Sequence, residues 1–341
     1  MSIELITDKT IWDSFVDSSP DGMIFHKWDL LKIVEKYTGD TLYPYGIYQS
    51  NDLLGVIPIF YSKRRGMKFV YSPPKTTLSY IPYMGFALSE SYYRLKQKEK
   101  ETFRYSIIKE TDDLLKGMSP NYISFTTVPG DVDVRPYARV GYDTLLQYTY
   151  FLDLNRPLDA IWDEFDRNCR KRITTAEKLD LSLVRADDAE ALFKMMKGRL
   201  SKNGNTFFHR QSPNYLKELL TAFPDNIKMY FLYSGNDLIG ADVNYEYKNC
   251  CTSWMGTAIV NEDLNANEYM LWVILKTAKE AGMKRYENVG ADERRLNDFK
   301  TKFNPSLVPF FYVIKKNMLY RTASTIVDRL TKMTGGAENE N

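Results

Sequence analysis

Histidine is almost missing from this chain: His26 and His209 are the two present in 341 residues, which excludes a His-rich metal centre. Cysteine is nearly as scarce. Cys169 and the adjacent Cys250 and Cys251 form no CxxC pair; neighbouring cysteines rarely bridge and an odd number leaves one over, so reduced, structural thiols are expected. An excess of charge of one sign is also lacking. With 46 basic and 44 acidic residues the formal net charge is +2, which excludes a protein drawn to polyanions by its overall field and confines any nucleic-acid contact to local patches. No apolar run approaches the ~18 residues of a membrane span. The opening MSIELITDKTIWDSF brings acids and a tryptophan where a secretory signal needs a basic start and an apolar core, so a cytoplasmic protein without stable membrane insertion is expected. GxSxG, Walker A and GxGxxG sequences are absent too, which leaves most nucleophile-elbow and nucleotide-loop chemistries without support.

What is present is a globular composition, 44% apolar and 26% charged, in a chain long enough for two domains at roughly 100 to 200 residues each. The 25 tyrosines and 18 phenylalanines suit ring-lined clefts, although strand packing accounts for most rings of this kind.

The chain says one thing twice. YGIYQSNDLLG at 45–55 returns as YFLYSGNDLIG at 230–240, and a shift of 185 positions aligns 31–55 with 216–240 without a gap. Nine residues are identical: Leu31, Lys32, Asp40, Tyr45, Tyr48, Asn51, Asp52, Leu53 and Gly55. Turn-forming Asn, Asp and Gly explain the hairpin alone. They do not explain the matched leucine-rich helices before it, DLLKIVEKYTG and NYLKELLTAFPD. Downstream, YMGFAL at 83–88 answers WMGTAI at 254–259, each followed by a helix and a strand. The later helix, within NANEYMLWVILKTAKEAGMK, begins at an Asn-rich cap, carries Met270, Ile274 and Ala278 on its apolar face and stops at Gly282. Each half thus reads helix, hairpin, Met-Gly strand, helix, strand, which predicts α/β (mixed α+β) architecture in two copies.

Three segments carry candidate chemistry. WDEFDRNCRKRITTAEKL at 162–179, taken as one helix, places Arg167, Arg170, Lys171 and Lys178 on a basic stripe, opposite Phe165, Cys169, Ala176 and Leu179. Arg172 projects to the apolar side, where a guanidinium must snorkel or find an anionic partner. NGNTFFHRQSPNYL at 203–216 is a polar loop whose His209 is a candidate general base. The third segment, ENVGADERRLNDFKTKFNPSLVPFFYVIKK at 287–316, spaces Phe299 and Phe303 four apart, so that both bury on one face while Lys300 is directed elsewhere. A cation so placed stabilises an oxyanion or holds a donor phosphate.

The element order resembles the GNAT acyltransferase superfamily, and its duplication resembles tandem-GNAT proteins of the Fem type, which include aminoacyl-tRNA-dependent transferases that build peptidoglycan cross-bridges. Arg170, Ile173, Ala176, Glu177 and Lys178 match an R-x-x-I-x-x-A-E-K-like helix of that family, and Phe299, Lys300 and Phe303 match its F-K-x-x-F signature. No coiled-coil arm follows the first motif, so the compact, arm-less type is the one resembled.

The resemblance implies two GNAT-like domains, each a mixed, mostly antiparallel sheet flanked by helices, at 1–153 and 154–316. A terminal helix at 317–333 is expected to pack back on the first, ahead of a disordered tail at 334–341. It implies direct attack of an amine on an activated carbonyl. Lys300 is the expected oxyanion or phosphate contact, and Arg210 and Tyr215, with Arg170, Lys171, Arg172 and His209, are the expected substrate contacts. The backbone at Met255, Gly256 and Thr257 is the expected oxyanion donor, where two central strands splay apart. Tyr286, Asp292 and Glu293 are candidates for handling protons, although the acids of ADERR can instead pair with the neighbouring arginines. No tightly bound cofactor is implied; the co-substrate is aminoacyl-tRNA or acyl-CoA. The expected partners are tRNA and an amine of a cell-envelope precursor. Superfamily members that use acyl-CoA carry a glycine loop, R/Q-x-x-G-x-G/A, before the helix, whereas IVNEDLNANEYM here has no glycine, which favours aminoacyl-tRNA. Two other readings stand beside this one: an acyl-CoA-dependent N-acyltransferase, and a non-catalytic protein that holds an anionic precursor or RNA.

Overall fold

The computed structural model describes residues 1–74, 81–202, 212–258 and 264–325, with the side chains of 198–202 and 257–258 outside that description. The chain divides into two compact units. One comprises the described residues of Met1–Lys75, Tyr83–Leu146 and Phe311–Asn341, the other those of Thr76–Pro82 and Gln147–Phe310.

The first unit contains β1 (Ser2–Leu5), α1 (Lys9–Ser18), α2 (Trp28–Thr38), β2 (Thr41–Gln49), β3 (Asp52–Arg64), β4 (Met67–Ser72), the short β5 (Ala87–Leu88), α3 (Glu90–Arg94), α4 (Gln97–Lys116), β6 (Tyr122–Thr126), α5 (Arg135–Arg139) and the start of β7 (Asp143–Asp153). Strands β1 to β4 pair antiparallel in chain order and β4 runs parallel to β6. Tyr312–Lys316 close this sheet antiparallel to β6. Helix α2 buries Leu30, Leu31, Ile33 and Val34 and ends at Gly39, whose left-handed φ of 70° suits a residue without a Cβ. The core gathers Ile47, Ile57, Ile59, Val70, Ile107, Phe125 and Val313.

The second unit contains α6 (Leu158–Asp163), α7 (Arg167–Ala176), β8 (Leu181–Arg185), α8 (Ala189–Lys202), α9 (Pro213–Ala222), β9 (Ile227–Ser234), β10 (Asp237–Tyr247), β11 (Cys250–Ala258), α10 (Ala266–Glu280), β12 (Arg285–Asn288), α11 (Arg294–Lys300) and most of β13 (Ser306–Lys316). Its pairing repeats the first unit's: β8 to β11 antiparallel in order, β11 parallel to β12, and Tyr150–Asp153 antiparallel to β12. Both sheets are therefore mixed and mostly antiparallel, with helices flanking them.

The 185-residue shift survives in three dimensions. It carries α2, β2 and β3 onto α9, β9 and β10, and the first loop residue of each hairpin, Ser50 or Gly235, has the same φ of 55°. The Met-Gly correspondence does not survive. The first-unit strand that pairs antiparallel with β3 and parallel with β6, as β11 pairs with β10 and β12, is β4. Of the 83–88 segment, Ala87 and Leu88 merely pair with Val56 and Gly55.

The 162–179 segment is likewise not one helix. It breaks after Asp163 and restarts at Arg167, where Asp166 caps the new helix by accepting from the backbone N–H of Asn168 and Cys169 at 2.7 and 3.3 Å. Helix α7 buries Cys169, Ile173 and Ala176 and ends there, so Lys178 lies beyond it and Leu179 is partly exposed. Residues 318–325 form α12 of the first unit, with Tyr320 packed on Tyr122 and Phe69 at ring separations of 4.9 and 6.0 Å. The remainder of the expected 317–333 helix and the 334–341 tail lie outside the described residues.

Candidate active site

The second unit's sheet opens at one place. Strand β11 pairs with β12 from Cys250 to Ser253, opposite Arg285 to Asn288, and there β12 ends while β11 continues beside β10 to Ala258. At the same point the β10–β11 register slips between Val243 and Asn244, leaving Trp254 as the extra residue of a bulge. A bulge bends its strand and re-aims the side chains around it. The parting strands, the start of α10 and the α11 segment enclose a cavity of about 590 Å³, within the usual range for a small-molecule site. Met255, Gly256 and Thr257, the expected oxyanion donors, lie in β11 just past the fork, opposite Val243, Asp242 and Ala241.

Lys300 lines this cavity at the end of α11 and is buried, 7% exposed. Phe299 and Phe303 pack edge to face at 5.6 Å, with Phe303 in the core, and the lysine is turned off that contact as its spacing requires. Its Nζ donates to the carbonyls of Val289 and Gly290 at 2.5 and 2.7 Å, fixing the turn after β12, and a third N–H remains available. Burial drives the ammonium down to about 8, against the opposing pull of Glu287, Asp292 and Glu293. Lys300 thus lines the cavity with two of its protons holding backbone.

Glu287 is fully enclosed, accepting from the hydroxyls of Thr149 at 3.0 Å and Thr252 at 3.1 Å. Tyr286 lines the cavity and is wholly buried; burial, then the neighbouring Asp242 carboxyl, pushes its hydroxyl well above the usual range. It is therefore a neutral donor at ordinary pH. Asp292 and Glu293 are exposed and off the cavity wall, and Glu293 pairs with Arg295 at 3.4 Å.

Arg172 found its anion. Together with Lys302 it flanks the buried Glu268, at 3.4 and 2.9 Å, and all three line the cavity. The two motif segments also meet through the backbone, since Asp166 N–H donates to the Lys302 carbonyl at 2.8 Å. Of the basic stripe, Arg167 and Lys171 are exposed, while Arg170 bends back to donate to the Asp163 carbonyl at 2.8 Å. None of these three lines the cavity. Tyr215 is 4% exposed within α9, packed in the core and off the cavity wall. An amphipathic ring four residues before Leu219 buries with that face of the helix. His209 and Arg210 lie outside the described residues. All three cysteines are free, and burial raises the thiols, Cys169 to about 12 and Cys250 to about 11.

Sequence reasoning missed Glu268 and Lys302, and it missed a further acid of the cavity wall. Asp242 of β10 is 7% exposed and lines the wall opposite Gly256. Its signal was the two-residue period of Asp242, Asn244 and Glu246, three polar side chains on one face of a strand whose other residues from Leu238 to Tyr247 are apolar or aromatic. Burial lifts its carboxyl to about 8, partly offset by the Ser253 hydroxyl at 3.4 Å and by the Asn244 side chain.

Residues 164–301, most of the second unit, match the acetyltransferase (GNAT) domain family. No curated protein is similar enough in sequence to match. Among solved structures the chain is similar to FemX, at 13% identity and a TM-score of 0.68, over 91% of this chain and 97% of that one. It is also similar to L-PGS from Bacillus licheniformis, at 12% identity and a TM-score of 0.55, covering 97% and 99% of the two chains. A tandem GNAT protein from the clavulanic acid biosynthesis pathway aligns at 10% identity and a TM-score of 0.50, over 92% and 98%. The chain has the Fem-like tandem GNAT fold with a GNAT acetyltransferase domain in its second unit, and it is an acyltransferase.

Proposed function

We infer that the chain transfers an aminoacyl group from aminoacyl-tRNA to an amine of a cell-envelope precursor, working in the cytoplasm. The observation that carries this reading is the wall of the cavity at the start of α10. Acyl-CoA enzymes need bare backbone amides at that helix end for the pyrophosphate. Here no glycine lies between Gly256 and the helix, and the first turn holds the buried carboxylate of Glu268, already paired with Arg172 and Lys302. Glu268 engages both cations at that helix end, so neither is left free to take a diphosphate. An aminoacyl ester needs no pyrophosphate cradle: its terminal adenosine stacks on rings, and its phosphates meet exposed cations such as Arg167 and Lys171. The resemblance to FemX agrees with this donor.

The chemistry that such a cavity supports is direct attack. The acceptor amine and the ester carbonyl meet at the fork of β11 and β12, where the β11 backbone and the Lys300 ammonium face the developing oxyanion. Acyl-CoA N-acyl transfer is the second reading, favoured by the GNAT family match.

Titration of the full chain with alanyl-tRNA and, separately, acetyl-CoA at two salt concentrations tests the donor. The expected result is tRNA binding that weakens steeply with salt and no saturation by acetyl-CoA. Saturable acetyl-CoA binding with no tRNA binding overturns the donor assignment in favour of the second reading. Binding of neither overturns both donor assignments.

A further inference from the structure

We propose that Asp242 removes the proton from the attacking amine, a role that rests on the transferase reading above. The argument begins with position. Asp242 is in register with Gly256, just beyond the point where β11 leaves β12, so its carboxyl lies over the stretch of backbone at which the reacting carbonyl is expected. The contact is close: a Cβ built on Gly256 would sit 2.3 Å from Asp242 Oδ2. The carboxyl occupies the space that glycine leaves.

Its surroundings complete the case. The hydrogen-bond distances to the Ser253 hydroxyl, 3.4 and 3.5 Å, are long, and among the described residues no cation pairs with it. Its neighbours Tyr230 on β9, Cys251 on β11 and Tyr286 on β12 all ionise only well above neutral pH, and none supplies a countercharge. The other buried acids of the cavity region are committed, Glu268 to Arg172 and Lys302, and Glu287 to two threonine hydroxyls. A buried carboxylate without a cation is strongly disfavoured, so it keeps a proton or awaits an ammonium. A substrate amine arriving as an ammonium is such a partner, and a carboxyl whose basicity burial has raised is able to take its proton.

The proton account closes. The ammonium gives one proton to the Asp242 carboxylate, and the freed lone pair forms the C–N bond at the ester carbonyl. Collapse of the tetrahedral intermediate breaks the acyl C–O bond, and the second nitrogen proton leaves with the ribose oxygen. Asp242 then releases its proton to water. The products are an amide, a ribose hydroxyl and one proton.

The test compares two acceptors, a peptidoglycan stem peptide with a free lysine ε-amine and methoxyamine, which is already neutral at pH 7. Transfer from alanyl-tRNA is measured for the wild-type chain and for Asp242→Asn, with thermal unfolding as the control for folding. The expected result is a loss of about 100-fold or more with the lysine amine and near wild-type transfer to methoxyamine. Equal losses with both acceptors, or no loss with either, overturn the role while leaving the transferase reading intact. Absence of transfer by the wild-type chain to both removes that reading and this role with it. Should Asp242→Asn fail to fold, the wild-type pH–rate profiles decide. Transfer to the lysine amine, divided at each pH by transfer to methoxyamine so that the Lys300 titration cancels, supports the role if the ratio levels off near pH 8 and overturns it if the ratio climbs toward the amine's own pKa of about 10.4.

Discussion

Asp242 and Gly256 face each other across β10 and β11 so closely that the space of a methyl group on one is taken by a carboxylate oxygen of the other. This explains the glycine of the WMGTA strand. Gly256→Ala drives its Cβ into Asp242 Oδ2, and the carboxyl, buried on every side but the cavity, moves into the cavity. We expect a stability loss of about 1–3 kcal/mol, as for overpacked cores, and a fall in transfer comparable to that of Asp242→Asn. Denaturant unfolding and transfer assays on the two single variants and the double variant check it. In the double variant the loss in transfer should not exceed that of Asp242→Asn alone, because both changes disable one group.

Lys300→Ala carries two costs that the sequence did not separate. The F-K-x-x-F spacing suggests a lysine free to serve a ligand, and its removal would then spare folding. The structure has that lysine tying the carbonyls of Val289 and Gly290, and truncation leaves both without their donor. The expected effect is a loss of about 1–3 kcal/mol in stability together with a fall of about 100-fold or more in transfer. Urea unfolding alongside single-turnover transfer separates the two: full stability would show that the turn does not depend on the lysine.

How much of this was legible in the sequence follows from which signals are local. The repeat at a shift of 185 fixed the pairing of α2, β2 and β3 with α9, β9 and β10 because hairpin turns and helix faces are written in neighbouring residues. The match of YMGFAL to WMGTAI misled because two shared letters outweighed topology, and which strand fills the place beside β6 is decided by long-range pairing. The basic stripe misled in part because a helix break at Asp166 depends on a cap, and Arg170 found a carbonyl rather than a ligand. Arg172 was legible in kind, a cation that required an anion, but Glu268 lies 96 residues further along the chain. Asp242 was passed over because every residue from Ile239 to Glu246 is buried, so burial on both faces of the strand hid the alternation that usually marks a polar face.

Asp242 and Lys300 impose opposite pH dependences on folding. Asp242 titrates near 8 in the folded chain against an ordinary 3.8. Between those values the folded state holds a proton that the unfolded chain has released, so stability falls as pH rises from about 4 to 8. Lys300 titrates near 8 against an ordinary 10.5. There the unfolded chain holds the extra proton, so stability rises again from about 8 to 10.5. These two groups alone therefore place a minimum near pH 8. Chemical unfolding across this range should show that Asp242→Asn flattens the acid limb and Lys300→Met the alkaline one, the acid limb being the larger, at most about 6 kcal/mol against about 3 kcal/mol at ~1.4 kcal/mol per unit.

On the proposed reading, Glu268 sets which donor the cavity accepts. Its buried carboxylate, in the first turn of α10, holds Arg172 and Lys302 and so occupies the two cations nearest the helix end where an acyl-CoA enzyme binds pyrophosphate. Glu268→Gln removes the charge but keeps an acceptor oxygen for both cations, which then turn their unneutralised charge to the cavity. The expected outcome is a gain of about tenfold in acetyl-CoA affinity, equivalent to ~1.4 kcal/mol, a gain that shrinks as salt is raised. Calorimetric titration of the wild-type and Glu268→Gln chains with acetyl-CoA measures it. Unchanged affinity would mean that the missing glycines, rather than the charge of Glu268, exclude coenzyme A. A gain would locate donor choice in one carboxylate and its two cations.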